Sequence, residues 1–194
     1  MDDNDGDLPQ DIVPIKLAVL GKSLVGKSAL TFRFISDKFP TEHDTTVEDQ
    51  YKTMATINDT QCELEILDTA GQDDYQTMLD TWIEFGNCFL LVYSIEDADS
   101  FKQIKFKYDR IVQLKGKEKF IVAIVGNKCD LPDSKRKVTK SEAENFAKNI
   151  GVAFLEVSAL TRANVKEAFT QVVYNYLTKT HQGAEKRRMG CPCF

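Results

Sequence analysis

The chain of 194 residues contains no apolar run approaching the ~20 residues that a spanning helix needs, so no membrane-crossing helix is expected. It lacks a basic excess: 25 Lys and Arg stand against 30 Asp and Glu, for a net charge of −5. That balance argues against nucleic-acid binding by the domain surface. The start of the chain carries no basic-then-apolar pattern, so no secretory leader is expected. Asp2 follows Met1, which excludes N-myristoylation. Cysteine is sparse and odd in number: Cys62, Cys88, Cys129, Cys191 and Cys193. Three of the five fall inside apparent core elements, so a reducing, intracellular location without a disulfide frame is expected. Cys191 and Cys193 are too close together for a zinc pair, and no second pair lies nearby. Internal repeats are absent.

What is present is an ordinary globular composition, 42% hydrophobic and 28% charged, at a length that fits one domain. Five of the acidic residues (Asp2, Asp3, Asp5, Asp7, Asp11) crowd into residues 1–14, which hold no Lys or Arg. The remaining 25 acidic residues therefore balance the 25 basic ones. Residues 1–14 read as an acidic, disordered leader. Apolar runs at 15–20, 88–93, 120–125 and, shorter, 152–157 alternate with helical patterns, which predicts an α/β fold. The first three are apolar on both faces, as in the middle of a parallel sheet. Residues 62–67 alternate, and residues 47–57 form a longer strand carrying Glu48, Asp49 and Lys52. Only Asn58, Asp59, Thr60 and Gln61 separate these two, so they form an antiparallel hairpin with a charged edge strand open to a partner. Val165, Ala168, Phe169, Val172, Val173, Tyr176 and Leu177 mark a final core helix, with Asn164 as its N-cap. A polar tail is expected beyond Lys179.

Residues 21–28 read Gly-Lys-Ser-Leu-Val-Gly-Lys-Ser, the spacing of a phosphate-binding loop between strand and helix. Backbone N–H groups of Gly21, Ser23, Leu24, Val25, Gly26 and Ala29 would cradle a polyphosphate, helped by the positive end of the following helix. Lys27 would reach the terminal phosphates and Ser28 would hold Mg2+. Asp68-Thr69-Ala70-Gly71-Gln72 follows a strand; Asp68 can hold Mg2+, Gly71 lets its N–H approach a γ-phosphate, and Gln72 can orient an attacking water. Asn127-Lys128-Cys129-Asp130 ends another strand. The Asp130 carboxylate matches the two donors of guanine, and adenine would leave it unpaired at a cost. The stem of Lys128 can lie over the base, and Ser158-Ala159 can close the site on the guanine O6.

With all these motifs in order, residues 15–179 resemble a small GTPase of the Ras superfamily. Leu67 before Asp68 and the stretch 44–51 (Asp-Thr-Thr-Val-Glu-Asp-Gln-Tyr) resemble the Ras subfamily most. No room for the extra helix of Rho proteins lies between Asp130 and Ser141. The resemblance implies a phosphate-loop NTPase fold: a mostly parallel six-stranded sheet with one antiparallel edge strand and helices on both faces. It implies a GTP-binding domain at 15–179 and a flexible tail at 180–194. It implies slow hydrolysis of GTP to GDP with Mg2+, with Lys27 and Gln72 as catalytic groups and Ser28, Thr46 and Asp68 around the metal. Thr46 would bind the metal and the γ-phosphate only in the GTP state, and Phe39 would pack on the guanine. The implied partners are an exchange factor, a GTPase-activating protein, and effectors docking on switch I (about 43–51) and switch II (about 70–85). A monomer is expected.

Four residues depart from that pattern. Ser23 and Leu24 replace Gly-Gly, and Leu24 is strained if the loop needs positive φ there. Slowed or activator-insensitive turnover and a compensating relaxation of the loop are both consistent with this. Thr45 replaces Pro before Thr46, freeing φ in switch I. Leu160 replaces the Lys after Ser158-Ala159, which would weaken guanine-side contacts and speed nucleotide release. The chain ends Cys191-Pro192-Cys193-Phe194 after Lys186-Arg187-Arg188, a prenylation box whose final Phe favours geranylgeranyl at Cys191, backed by basic attraction to anionic lipid. Pro192 and Cys193 are atypical in such a box, and an unmodified tail is the alternative. The expected location is the cytoplasmic face of the plasma membrane or an endomembrane, or else the cytosol. Two rivals remain at this point: a GTP-held docking module with little hydrolysis, and an ATP-using phosphoryl-transfer kinase, which Asn127 and Asp130 disfavour.

Overall fold

A computed structural model describes residues 12–39, 48–71 and 76–189, without the side chains of 76–77 and 181–189. The element order is β1 (Val13–Gly21), α1 (Lys27–Ser36), β2 (Glu48–Ile57), β3 (Thr60–Thr69), α2 (Gln76–Phe85), β4 (Cys88–Ser94), α3 (Ala98–Lys115), β5 (Ile121–Asn127), α4 (Lys140–Ile150), β6 (Ala153–Glu156) and α5 (Val165–Met189). A single 3-10 turn at Asp133–Lys135 precedes α4. The six strands form one sheet in the order β2-β3-β1-β4-β5-β6. Every neighbouring pair is parallel except β2 with β3. The expected fold class holds in each particular, down to the antiparallel edge strand.

The charged β2 takes the edge because its burial alternates between exposed and half-buried, leaving no face able to sit inside a sheet. β4, apolar but for Ser94 at its end, is buried from end to end and lies at the centre. The β2–β3 turn is tighter than expected. Asn58 (φ 50°) and Asp59 (φ 60°) alone form it, and Ile57 pairs with Thr60. Two successive left-handed residues make a type I′ hairpin, which Asn and Asp tolerate best.

Helices cover both faces. α1 and α5 bury Leu30, Val165, Phe169, Val172 and Val173 against Ile15, Leu17, Val19, Leu90 and Val125. The Phe34 and Phe169 rings stack between the two helices with centroids 4.2 Å apart. On the other face α2, α3 and α4 bury Leu79, Trp82, Ile83, Phe101, Ile104, Tyr108 and Ala143 against Ala18, Leu20, Phe89, Leu91 and Ile124. Caps set the helix limits. The Asp97 carboxylate accepts from the Asp99 and Ser100 amides before α3, and the Thr139 hydroxyl from the Glu142 amide before α4. Gly151 ends α4 in the left-handed region.

One local expectation fails at the start of α5. Asn164 does not cap α5 with its side chain: its backbone is left-handed (φ 55°), and its amide donates to the Glu156 carbonyl, stitching the loop to β6 instead. The helix α5 runs on through the polar stretch beyond Lys179 as far as Met189. The apolar stripe ends at Leu177, but no helix-breaking Pro follows until residue 192, beyond the helix. Val13 and Pro14, placed in the acidic leader by the sequence, belong to β1 instead; the rest of the leader up to residue 11, and the Cys191 box, lie outside the described residues.

Candidate functional site

Parallel strands of an open sheet end at one edge, and ligands bind there. The carboxyl ends of β1, β3, β4, β5 and β6 bring Gly21, Asp68, Ser94, Asn127 and the 158–160 loop to that edge. The loop after Gly21 turns at Leu24 (φ 65°) and Gly26 (φ 94°) before α1 begins at Lys27. Leu24 therefore occupies the strained conformation anticipated for it, with its side chain 89% exposed. Gly26 is required twice over, by its φ and by space: a Cβ there would lie 2.4 Å from Asn127 Nδ2. Gly71 is likewise pressed on the loop. The Ser23 amide donates to the Gly71 carbonyl at 2.8 Å, and a Cβ at Gly71 would meet Ser23 N at 2.2 Å. The first and second motifs thus touch through their backbones.

Lys27 is buried at the base of this loop, its ammonium donating to the Lys22 carbonyl at 3.0 Å. Burial lowers its pKa to about 8, with Asp68 opposing part of the fall. Asp68 is fully buried, and among the described residues neither carboxylate oxygen makes a hydrogen bond of full geometry. Burial pushes its pKa up to about 6; the nearby Ser28 hydroxyl and Lys27 offset only part of that cost. A buried carboxylate only partly compensated, beside a hydroxyl at the first turn of a helix, is a donor set suited to a hard divalent cation. The residues present fit Mg2+. Thr46 and Gln72, the other residues expected around the phosphates, lie outside the described residues.

The base end is arranged differently. Asn127 Nδ2 donates to the Val25 carbonyl at 2.8 Å, and its Oδ1 accepts from the Ala159 amide at 3.3 Å. Asn127 is thus a strut joining the phosphate loop to the 158–160 loop, a role its sequence position does not reveal. Asp130 accepts from the Ser158 hydroxyl at 2.5 Å, which in turn accepts from the Thr161 amide. Lys128 sits at φ 67° and pairs with Glu96 at 2.7 Å, which fixes its stem. The Ser158 amide goes to the Ala163 carbonyl, so the weakly held Ala159 amide is the better donor for a base oxygen. Phe39 stands two residues after the end cap of α1, with the Arg33 guanidinium 5.6 Å from its ring centre.

Residues 16–178 match the Ras family. The chain belongs to the Ras family. It is 45% identical over 158 residues to the Ras-like protein rasB of Dictyostelium discoideum, covering 81% of this chain and 80% of that one. It is 38% identical over 182 residues to the Ras-like protein rasC of the same organism, covering 91% and 96%. Ras-family proteins are GTPases, and this one is a Ras-like small GTPase, a switch cycling between GDP and GTP. The family binds GTP and GDP with Mg2+ and works with exchange factors, activating proteins and effectors. Nothing in these likenesses favours a docking module without hydrolysis.

Three partnerships at this family site carry no signal in the sequence. Lys22 reaches from the phosphate loop to Asp97 (3.1 Å) and Asp99 (2.8 Å) at the start of α3. Trp82 of α2 donates its indole N–H to Glu48 of β2 at 2.6 Å. Arg33 donates to three backbone carbonyls.

Proposed function

We propose that this chain holds guanine nucleotide with its phosphates over residues 21–29 and its base between Phe39 and the 158–160 loop. The observation that carries this reading is the pair of buried, poorly partnered charges, Lys27 and Asp68, under a left-handed glycine loop. The two charges offset only part of each other's burial cost, which leaves room for a polyanion at Lys27 and a cation at Asp68. Lys27 would lie against the terminal phosphates, holding charge that develops as the γ-phosphate leaves. Ser28 and Asp68, with Thr46 in the GTP state, would hold Mg2+. Bound Mg2+ supplies charge neutralisation on the phosphate oxygens. Gln72 orients the attacking water for in-line displacement, and Gly71 donates its N–H to the γ-phosphate. Asp130 reads the guanine edge, and Ser158 holds that carboxylate in place.

GTP hydrolysis removes the γ-phosphate contacts of Thr46 and Gly71 and releases both switches. Effectors dock on 43–51 and the exposed β2 edge, and on 70–85. We further propose membrane attachment through a prenylated Cys191 at the cytoplasmic face, with the chain a monomer.

Single-turnover hydrolysis tests the site. Protein loaded with GTP receives Mg2+, and bound nucleotide is followed by chromatography over hours. Slow conversion with retained GDP is expected; GTP that persists unconverted would refute the catalytic assignment. Excess ATP is expected not to displace the nucleotide.

A further inference from the structure

We propose that Arg33 is a positioning residue for the base end of the site, clasping the two walls between which the guanine would sit and so slowing nucleotide release. This rests on the reading of the site given above.

Arg33 lies in the last turn of α1. Its Nε donates to the Ala159 carbonyl at 2.9 Å, and Nη2 to the Leu160 carbonyl at 3.0 Å. Nη1 donates to the Asp37 carbonyl at 3.1 Å. The planar guanidinium thus divides its donors between a segment four residues away and one 126 residues away in sequence. One segment is the 158–160 loop, whose Ala159 amide is the better donor for a base oxygen. The other is the left-handed cap of α1 at Asp37, two residues before Phe39. The Phe39 ring lies against the same guanidinium. An ion pair between Arg162 and Asp37 flanks the clasp and joins the same two segments.

These two walls belong to different elements, and a base can leave when they part. Arg33 opposes that motion with three charge-assisted bonds and a cation–π contact. It also sits where a cation favours the carboxyl end of a helix. Its targets are backbone carbonyls, so the clasp is indifferent to the side chain at position 160. Leu160, 57% exposed, makes no polar side-chain contact, and its contribution is its carbonyl. Arg33 therefore does through the backbone what a polar side chain at 160 would otherwise do.

The test uses the full chain loaded with a fluorescent GDP analogue in Mg2+, chased with excess GDP. Arg33→Ala is expected to speed release about tenfold, because two loop carbonyls and the Phe39 segment lose their shared donor. Arg33→Lys keeps charge and stem but offers one nitrogen, and is expected to stay within about twofold of the Ala variant. Hydrolysis of preloaded GTP in a single turnover is expected to stay within about twofold of wild type in both, since no catalytic group moves. Unchanged release in Arg33→Ala overturns the proposal, as does full restoration by Lys or a fall in hydrolysis that tracks the faster release. Should the Ala variant fail to fold, the Lys variant decides alone: wild-type release overturns the clasp and fast release supports it. A wild-type chain that holds no GDP analogue overturns the site reading and the clasp with it. Tight wild-type binding with unchanged variants overturns the clasp only.

Discussion

The base end and the phosphate end of the site are built from neighbouring strand ends, yet the protein completes only one of them. At the base end the polar side chains already have protein partners. Asn127 bridges Val25 and Ala159, Ser158 donates to Asp130, Lys128 pairs with Glu96, and Arg33 holds the 158–160 loop. At the phosphate end the charges are buried first and partnered poorly. Among the described residues Asp68 makes no hydrogen bond of full geometry, and Lys27 donates to one backbone carbonyl. A rigid, satisfied wall can discriminate between bases because nothing in it relaxes around the wrong one. An unsatisfied charge pair makes the fold's local stability depend on what binds. The division suits a switch: recognition is preorganised, and the response is left to the phosphates and the metal.

The sharpest way to break this contrast is at Lys27. Lys27→Ala should lower guanine-nucleotide affinity by about a thousandfold, since it removes a buried cation facing polyphosphate; calorimetry with GDP and Mg2+ measures it. Affinity within tenfold of wild type would show that the phosphate end is not charge-dependent.

Asp68→Asn should act in two directions. Its folded-state pKa, raised to about 6 from 3.8, means that the ionised group opposes folding. A raised carboxyl pKa contributes stability that is full below the unfolded value and is lost as pH rises through about 6. At neutral pH the ligand-free Asn variant should therefore be more stable than wild type, by up to about 3 kcal/mol. It should also lose the tightening of nucleotide binding by Mg2+. Denaturant unfolding of the ligand-free chain, with and without Mg2+ and GDP, checks both effects. A less stable ligand-free variant would mean that Asp68 is partnered in solution.

At the base end the signs reverse, because there the protein satisfies itself. Asn127→Ala should destabilise the chain by about 2 kcal/mol even without nucleotide, as it orphans the buried Val25 carbonyl. Chemical denaturation gives the value, and an unchanged midpoint would mean that the strut is replaceable by water. The smallest effect is expected at Leu24, whose φ of 65° costs a side-chain-bearing residue energy. Leu24→Gly relieves this but adds unfolded-state entropy, for a net gain of about 0.5 kcal/mol. A thermal melt that drops instead would show that the exposed Leu24 side chain makes a contact of its own.

The phosphate-end motifs were legible because their chemistry is local. Glycines at 21, 26 and 71, a lysine and a serine at a helix start, and a carboxylate at a strand end can be read from spacing alone. The strands were legible for the same reason, with errors confined to their ends and to the hairpin turn. Asn127 was legible as a site residue but not as a strut, since its partners Val25 and Ala159 lie in other loops. Arg33 was not legible at all. On α1 it is one more charged residue at the end of a helix, and nothing within several residues marks it.

Composition, period and motif spacing by themselves determined the α/β class and the order of elements, and set the expectation of a guanine nucleotide. Each depends on residues near one another along the chain. Only the tertiary structure decided which polar groups are satisfied and which are left waiting. It buried Asp68 with its charge only partly compensated, gave Asn127 two partners, and brought Arg33 to carbonyls 126 and 127 residues away. Burial and hydrogen bonding are properties of the packed chain, because a group's solvent and partners are settled only once the strand ends have met.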